Sequence, residues 1–375
     1  MKTMSKPVKY KIIISGGGTG GHVFPAIAIA DALSKMLPGI EILFIGALGR
    51  LEMEKVPAAG YKIIGLPVSG FIRKLSAGNI KVVLNLLKSL RQSGRIIKEF
   101  RPDAVVGVGG YASGPVLWVA GNKNIPVLIQ EQNSYAGVTN KLLGGKAKRI
   151  CVAYPEMDKY FEASKIVYTG NPVRAALFTK APEKEKALRF FGLDSNKKTI
   201  LIIGGSLGAR TINNSILESL ADFAGNNETQ LLWQTGKFYY KNILEQSKEK
   251  ETKNIKIFDF IGRMDMAYAA ADIIVSRAGA GTISELALVG KPVILVPSPN
   301  VAEDHQTKNA RALVKENAAL LVADNEASAK LTKSIFKLLT DDTRKHELAV
   351  NIKKMAVHNS AEQIAEEVLK LIKAN

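Results

Sequence analysis

In Ser276-Arg277-Ala278-Gly279-Ala280-Gly281-Thr282-Ile283-Ser284-Glu285, small residues, hydroxyls and one carboxylate follow the apolar run Asp272-Ile273-Ile274-Val275. Leu286-Ala287-Leu288-Val289 continue to Gly290 and Pro292, which stop a helix. A strand, a glycine-rich turn and a helix start leave backbone N–H groups unpaired where the helix dipole is positive, so an anion is expected there. Glu285, three residues past Thr282 and placed in the first helical turn, could accept hydrogen bonds from a ribose diol. Anion plus diol points to a nucleotide. The plainer reading is a T-x-x-E capping box between Thr282 and Glu285, and this stretch alone does not separate the two.

Four further tips have similar chemistry. Gly16-Gly17-Gly18-Thr19-Gly20-Gly21-His22 follows the apolar run Tyr10 to Ser15 and precedes a helical run from Ala26 to Leu37. Gly109-Gly110-Tyr111-Ala112-Ser113-Gly114-Pro115 follows Asp103 to Val108, and Glu131-Gln132-Asn133 follows Pro126 to Gln130. Gly204-Gly205-Ser206-Leu207-Gly208-Ala209-Arg210 follows Thr199 to Ile203, and Ser206 there suits a phosphate. The loop from Pro297 to Gln306 carries Glu303, Asp304, His305 and Gln306, fit either to grasp the rest of a ligand or, through Asp304, to cap the helix from Thr307.

The elements that position these tips are apolar β-branched strands of five or so residues alternating with helices, the pattern of a parallel sheet covered on both faces. It runs once from Lys11 and restarts at Thr199, with turn chemistry at Gly170-Asn171-Pro172-Val173-Arg174 between. The expected fold class is therefore α/β, two Rossmann-like doubly wound domains with a cleft between them. The boundaries are residues 1–173 and 174–375, and the last helix, about 350–375, is expected to return to the first domain. With 375 residues the chain is too long for one ordinary core.

The first glycine turn also fits G-x-G-x-x-G, the dinucleotide fingerprint. That fingerprint expects an acid at the tip of the second strand, and Glu41-Ile42-Leu43-Phe44-Ile45 ends instead in Gly46-Ala47-Leu48-Gly49-Arg50. This counts against NAD, while Arg50 keeps an NADP-dependent oxidoreductase open. Lone Cys151 excludes an intramolecular disulfide or a cysteine cluster, and no His or carboxylate cluster has metal-ligand spacing. No metal and no cofactor are expected. Apolar runs are too short for a signal peptide or a membrane span, so the expectation is a cytoplasmic protein.

A net charge of +18 favours an anionic partner: nucleic acid, anionic lipid or phosphorylated substrate. Much of it gathers from Ser69 to Arg101, where Arg73, Lys74, Lys81, Lys88, Arg91, Arg95, Lys98 and Arg101 face only Glu99 as an acidic neighbour, and among them run Phe71, Ile72, Leu75, Ile80, Val82, Val83, Leu84, Leu86, Leu87 and Leu90. Little aromatic interleaving argues against nucleic acid. A crossover helix with a solvated basic face is the plainer reading, and a helix lying on anionic lipid is the other.

In chain order, the turns Gly17 to His22 and Gly109 to Pro115, Glu131-Gln132-Asn133, Gly170-Asn171-Pro172-Val173-Arg174, the turn Gly204 to Arg210, Arg277-Ala278-Gly279, Thr282-Ile283-Ser284-Glu285 and Asp304-His305-Gln306-Thr307-Lys308-Asn309-Ala310 together closely resemble the MurG family. These are the peptidoglycan N-acetylglucosaminyltransferases of glycosyltransferase family 28. The resemblance runs from about Lys11 to about Leu313. It implies a GT-B fold, with UDP-GlcNAc in the C-terminal domain and lipid I, undecaprenyl-pyrophosphoryl-MurNAc-pentapeptide, as acceptor in the N-terminal one. It implies that backbone at Ile261 reads the uracil and Glu285 the ribose. Ala280, Gly281, Thr282, Ile283, Ser284, Ser206 and Arg174 would hold the diphosphate. Gln306, Asn133, Thr19, Gly20 and Gly21 would hold the sugar and the forming bond, and Gly109, Gly110, Tyr111 and Ser113 would face the acceptor. It also turns the reading of Phe71 to Arg101 towards an anionic membrane, making the protein peripheral at the cytoplasmic face.

Such a transfer inverts the anomeric centre and needs a base for the acceptor hydroxyl. His22 is the first candidate, against a role in capping or phosphate binding alone, and Glu131 is its competitor or orienting partner. No Asp-x-Asp pair is present for a cation, and a helix N-terminus can stabilise a leaving diphosphate without one. A GT-B transferase that glycosylates a diacylglycerol remains the nearest alternative.

Overall fold

The computed structural model describes residues 10–68, 78–173, 182–205, 207–247 and 254–374. The chain divides into two compact units, Met1–Val173 with His358–Asn375, and Arg174–Val357.

Unit one carries strands β1 (Lys11–Ser15), β2 (Glu41–Ala47), β3 (Lys62–Leu66), β4 (Ala104–Gly107), β5 (Val127–Glu131), β6 (Arg149–Val152) and β7 (Ile166–Tyr168). All pair in parallel, in the order β3-β2-β1-β4-β5-β6-β7. Its helices are α1 (Gly20–Met36), α2 (Glu52–Ala58), α3 (Gly78–Phe100), α4 (Ser113–Asn122) and α5 (Val138–Leu143). The strand runs read as continuously apolar because both faces are covered. Ile12 and Ile14 pack with Val23, Ile29 and Leu33 of α1, while Ile13 packs with Ile97 of α3 and Val116 and Leu117 of α4. Burying each such side chain contributes about 1.5–3 kcal/mol.

Unit two carries α6 (Lys184–Phe191), β8 (Lys198–Ile203), α7 (Arg210–Glu218), α8 (Leu220–Ala224), β9 (Thr229–Gln234) and α9 (Tyr240–Ser247). There follow β10 (Ile255–Phe258), α10 (Met264–Ala270), β11 (Ile273–Ser276), α11 (Ala280–Val289), β12 (Val293–Leu295), α12 (His305–Lys315) and β13 (Leu320–Leu321). The helices α13 (Ala327–Thr340) and α14 (Asp342–Lys354) close the unit. Its parallel sheet has the order β10-β9-β8-β11-β12-β13. Ile200, Ile202, Leu231, Trp233, Ile273 and Val275 share a core with Ile212 and Ile216 of α7 and Leu331 and Ile335 of α13.

The last helix, α15 (Ser360–Lys373), belongs to unit one, where Ile364, Ala365 and Val368 are wholly buried against β1, β4 and α1. Before it, α14 stays with α11 and α13, so the segment that belongs to unit one starts at His358.

Each sheet has one point where the strand order reverses: between β1 and β4, and between β8 and β11. Loops leaving such a pair diverge and open a crevice at the carboxyl ends of the strands. The loops at these points are Gly16 to Thr19 and Val108 to Ala112 in unit one, and Gly204, Gly205 and Leu207 to Ala209 with Arg277 to Gly279 in unit two.

Candidate functional site

In unit one the two reversal loops interlock through backbone. Gly17 donates its N–H to the Gly109 carbonyl at 3.3 Å. Gly110 has φ +84°, and a methyl group there would lie 2.3 Å from the Gly17 carbonyl oxygen, so only glycine fits. Ser113 is buried and donates to the Gly110 carbonyl at 2.9 Å, which makes it a brace for this turn. Tyr111 beside it is exposed.

Helix α1 starts at Gly20 with Thr19 as its N-cap in extended conformation, so the N–H groups of Gly20 and Gly21 lie in its first turn. His22 follows on the same turn, with Nδ1 3.0 Å from the Gly17 carbonyl and 3.3 Å from Thr19 Oγ1. A carbonyl only accepts, so this contact makes Nδ1 the protonated nitrogen of the neutral ring. The basic lone pair then sits on Nε2, on the ring edge that lies against Gly109. This is the tautomer a proton acceptor requires.

Glu131 ends β5 and is 1% exposed. Burial pushes its carboxyl up, opposed by the hydrogen bonds it accepts. These come from the Asn133 N–H at 3.0 Å, Asn133 Nδ2 at 3.2 Å, the Gly137 N–H at 3.0 Å and Asn140 Nδ2 at 2.8 Å. Four donors on two oxygens make this carboxylate the organiser of the loop that carries Asn133. Gln132 joins that loop to the other reversal loop by donating to the Val108 carbonyl at 2.7 Å.

In unit two, α11 begins at Ala280 with Gly279 as N-cap and no side-chain cap. This corrects two expectations. Thr282 and Glu285 form no capping box, because both lie inside the helix, and Glu285 stands in the second turn. Its Oε2 accepts from the Tyr268 hydroxyl of α10 at 3.2 Å. Ser284 donates back to the Ala280 carbonyl at 3.1 Å, while the buried Ile283 side chain faces the core. The turn Arg277 to Gly281 is therefore shaped by backbone, with the Arg277 guanidinium donating to the Val296 carbonyl at 3.0 Å and the Pro297 carbonyl at 3.2 Å. Gln306 Oε1 accepts from the Ala278 N–H at 3.3 Å and the Ser298 N–H at 2.9 Å, tying α12 to this turn. Asp304 is the N-cap of α12, but its side chain accepts from the Thr307 hydroxyl at 2.6 Å and not from helix backbone.

Ile261 is buried, and its N–H donates to Gln234 Oε1 at 2.8 Å, while Gln234 Nε2 donates to the Gly205 carbonyl at 3.1 Å. A base read by this backbone would meet the Ile261 carbonyl or displace Gln234. Arg174 and Ser206 lie outside the described residues, as do residues 69–77 at the start of the basic segment.

Unit one thus gathers Thr19, Gly20, Gly21 and His22 against Gly109, Gly110 and Ser113, with Glu131 and Asn133 on the next strand. Unit two gathers Ala280 to Glu285 with Gln306. Three contributors escaped the sequence reading: Glu52, Tyr268 and Gln234. None belongs to a glycine turn, and each acts from a neighbouring element. Among the described residues no group of three or more His, Cys, Asp or Glu side chains could hold a metal ion.

The N-terminal domain of glycosyltransferase family 28 matches residues 12–152, and the C-terminal domain of the same family matches residues 199–367. A protein of Parabacteroides distasonis is 58% identical over 97% of this chain and 99% of its own length. Its name is UDP-N-acetylglucosamine--N-acetylmuramyl-(pentapeptide) pyrophosphoryl-undecaprenol N-acetylglucosamine transferase. A Bacteroides thetaiotaomicron protein of the same name is 58% identical over 97% of the chain and 98% of its own length. Among solved structures, Acinetobacter baumannii MurG superposes with a TM-score of 0.79 at 29% identity, over 96% of this chain and 99% of that one.

Proposed function

The chain belongs to glycosyltransferase family 28, and on that premise we propose that it transfers N-acetylglucosamine from UDP-GlcNAc to the 4-hydroxyl of the muramyl residue of lipid I. The product is lipid II, the disaccharide precursor of peptidoglycan. The observation that carries this reading is likeness along the whole chain, both units included, to relatives named for that reaction. A diacylglycerol acceptor or an NADP-dependent oxidoreductase has no such support.

The described residues fit the roles as follows. The acceptor oxygen attacks the anomeric carbon, the new glycosidic bond forms as the bond to the diphosphate breaks, and UDP leaves with the electron pair. His22 Nε2 takes the hydroxyl proton. The N–H groups at the start of α11 meet the diphosphate and stabilise the charge that grows on it. Glu285, oriented by Tyr268, accepts from the ribose hydroxyls. Gln306, whose Oε1 is held by two backbone N–H groups, turns its amide nitrogen to the sugar. Glu131 acts by positioning Asn133, and the Gly20 and Gly21 N–H groups face the acceptor side.

Helix α3 supports association with a membrane surface. It exposes Ile80, Val83, Leu84 and Leu87, and its sequence carries Lys81, Lys88, Arg91 and Arg95. Exposed Trp118 of α4, with the Lys146 ammonium 4.5 Å from its ring, and exposed Leu142 of α5 add to the same unit. No helix of the described residues is long and apolar enough to cross a membrane. The reading is a peripheral protein on the cytoplasmic face, meeting anionic lipid where its acceptor is anchored.

Transfer of labelled GlcNAc from UDP-GlcNAc to a short-chain lipid I analogue tests the proposal. Labelled disaccharide is expected. UDP-GlcNAc binding without transfer would overturn the acceptor, and no binding would overturn the donor.

A further inference from the structure

Glu52 is a carboxylate with no place in the roles above. It opens α2, just past the tip of β2, and is 1% exposed. Its Oε2 accepts the Gly18 N–H at 2.9 Å, and its Oε1 accepts the Ala47 N–H at 2.8 Å. It also shapes the glycine turn by contact. Gly17 has φ +150°, and a methyl group on it would lie 2.1 Å from Glu52 Oε1. The Gly17 α-carbon thus rests directly on the carboxylate. The carbonyl of that same Gly17 is the group His22 Nδ1 contacts at 3.0 Å.

From this we infer that Glu52 is a positioning residue for the transfer reaction: it fixes the first glycine turn from behind, and through the Gly17 carbonyl it sets the orientation and tautomer of His22. The inference rests on the reading of His22 as the base. The chemistry calls for a carboxylate in particular. Each oxygen faces a backbone N–H, and an ionised carboxylate offers acceptors on both sides. A glutamine of the same shape offers one oxygen and one NH2, so one of the two N–H groups would face another donor and stay unsatisfied. Tying Gly18 back also commits its N–H to the protein, which assigns any anion at this turn to the N–H groups that follow, at the start of α1. The carboxylate therefore selects which donors of the turn face outwards.

The test uses the full chain. Turnover with a short-chain lipid I analogue is measured for Glu52→Gln and His22→Ala, beside UDP-GlcNAc binding by calorimetry and the Gly18 and Ala47 amide signals by NMR. The E52Q enzyme should lose about 10–100-fold in kcat, the scale of a misplaced catalytic group. Its UDP-GlcNAc affinity should stay within about twofold, since the loss belongs to the chemical step and not to donor binding. The Gly18 amide should shift and exchange faster with solvent. Wild-type kcat in E52Q, or a loss matched by lost donor binding, would overturn the inference. Should E52Q fail to fold, the wild-type protein decides. A Gly18 amide that exchanges slowly upholds the tether, and one that exchanges like an exposed loop amide overturns it. H22A keeps the two readings apart. Near-normal turnover in H22A refutes His22 as base, whereas an inactive H22A beside a normal E52Q refutes only the part given to Glu52.

Discussion

His22 gains its proposed role from a backbone carbonyl, because Nδ1 facing Gly17 O leaves the lone pair on Nε2. Replacement by alanine should lower kcat about 10²–10⁴-fold, the usual share of a general base, while UDP-GlcNAc still binds. A loss of only a few-fold would remove it from that role. Tyr268 offers a finer test in unit two. Its hydroxyl donates to Glu285, so Tyr268→Phe should weaken UDP-GlcNAc about three- to tenfold, the net worth of one ordinary hydrogen bond. Unchanged affinity by calorimetry would mean that Glu285 is held without it. Cys151 marks the inert extreme: it is wholly buried, and burial pushes its thiol up to about 12. It should resist a thiol reagent at pH 8 in the native protein and react on unfolding. At this scale the sequence pointed to His22 and Glu285 because each sits in or beside a glycine turn, and to Glu131 and Gln306 because each stands at or after the carboxyl end of an apolar strand run. Glu52 stayed hidden for a physical reason. The acid missing from the tip of β2 stands five residues past Ala47, at the start of the next helix, and folds back onto the protein's own turn.

Strands were the readable elements. Ile12-Ile13-Ile14 and Ile200-Leu201-Ile202-Ile203 are apolar on every residue because helices cover both faces of each sheet. Helix starts were less so. The sequence reading puts Glu285 in the first turn of a helix capped near Thr282, but α11 begins at Ala280, because Ala280-Gly281-Thr282 already take helical backbone once Gly279 supplies the turn. The consequence is chemical, since it moves Glu285 one turn up and away from capping. For α3 the residues alone left the basic face open between solvent and lipid and the family resemblance turned the reading to lipid, a proposal that the exposed Ile80, Val83, Leu84, Leu86 and Leu87 support. Leu84→Glu with Leu87→Glu should therefore reduce sedimentation with anionic vesicles at least about tenfold, each burying a charge where apolar area was meant to insert. Turnover on a water-soluble acceptor should be unaffected. Vesicle binding equal to the wild type would return α3 to a merely solvated face.

At the scale of the whole molecule, the two-fold repeat of strand, glycine turn and helix was legible from Lys11 and again from Thr199, and each repeat proves to be a parallel sheet with its own reversal point. The last helix, about 350–375, was expected to return to the first domain, and the part that belongs to unit one starts at His358, with Ile364 and Val368 sharing the core of α1 and β1. Replacing Ile364 with alanine should destabilise unit one by roughly 2–5 kcal/mol. Nucleotide binding, proposed for unit two, should survive at temperatures where the variant's transfer activity has gone. Joint loss of both would mean that the units do not unfold separately.

The central claim is that this chain joins the GlcNAc of UDP-GlcNAc to a lipid-linked muramyl acceptor. The most direct measurement is transfer of labelled GlcNAc to a short-chain lipid I analogue in the presence of EDTA. Labelled disaccharide is expected, formed by the wild-type enzyme and lost in the His22→Ala variant. A protein that binds UDP-GlcNAc yet labels no muramyl acceptor would contradict it.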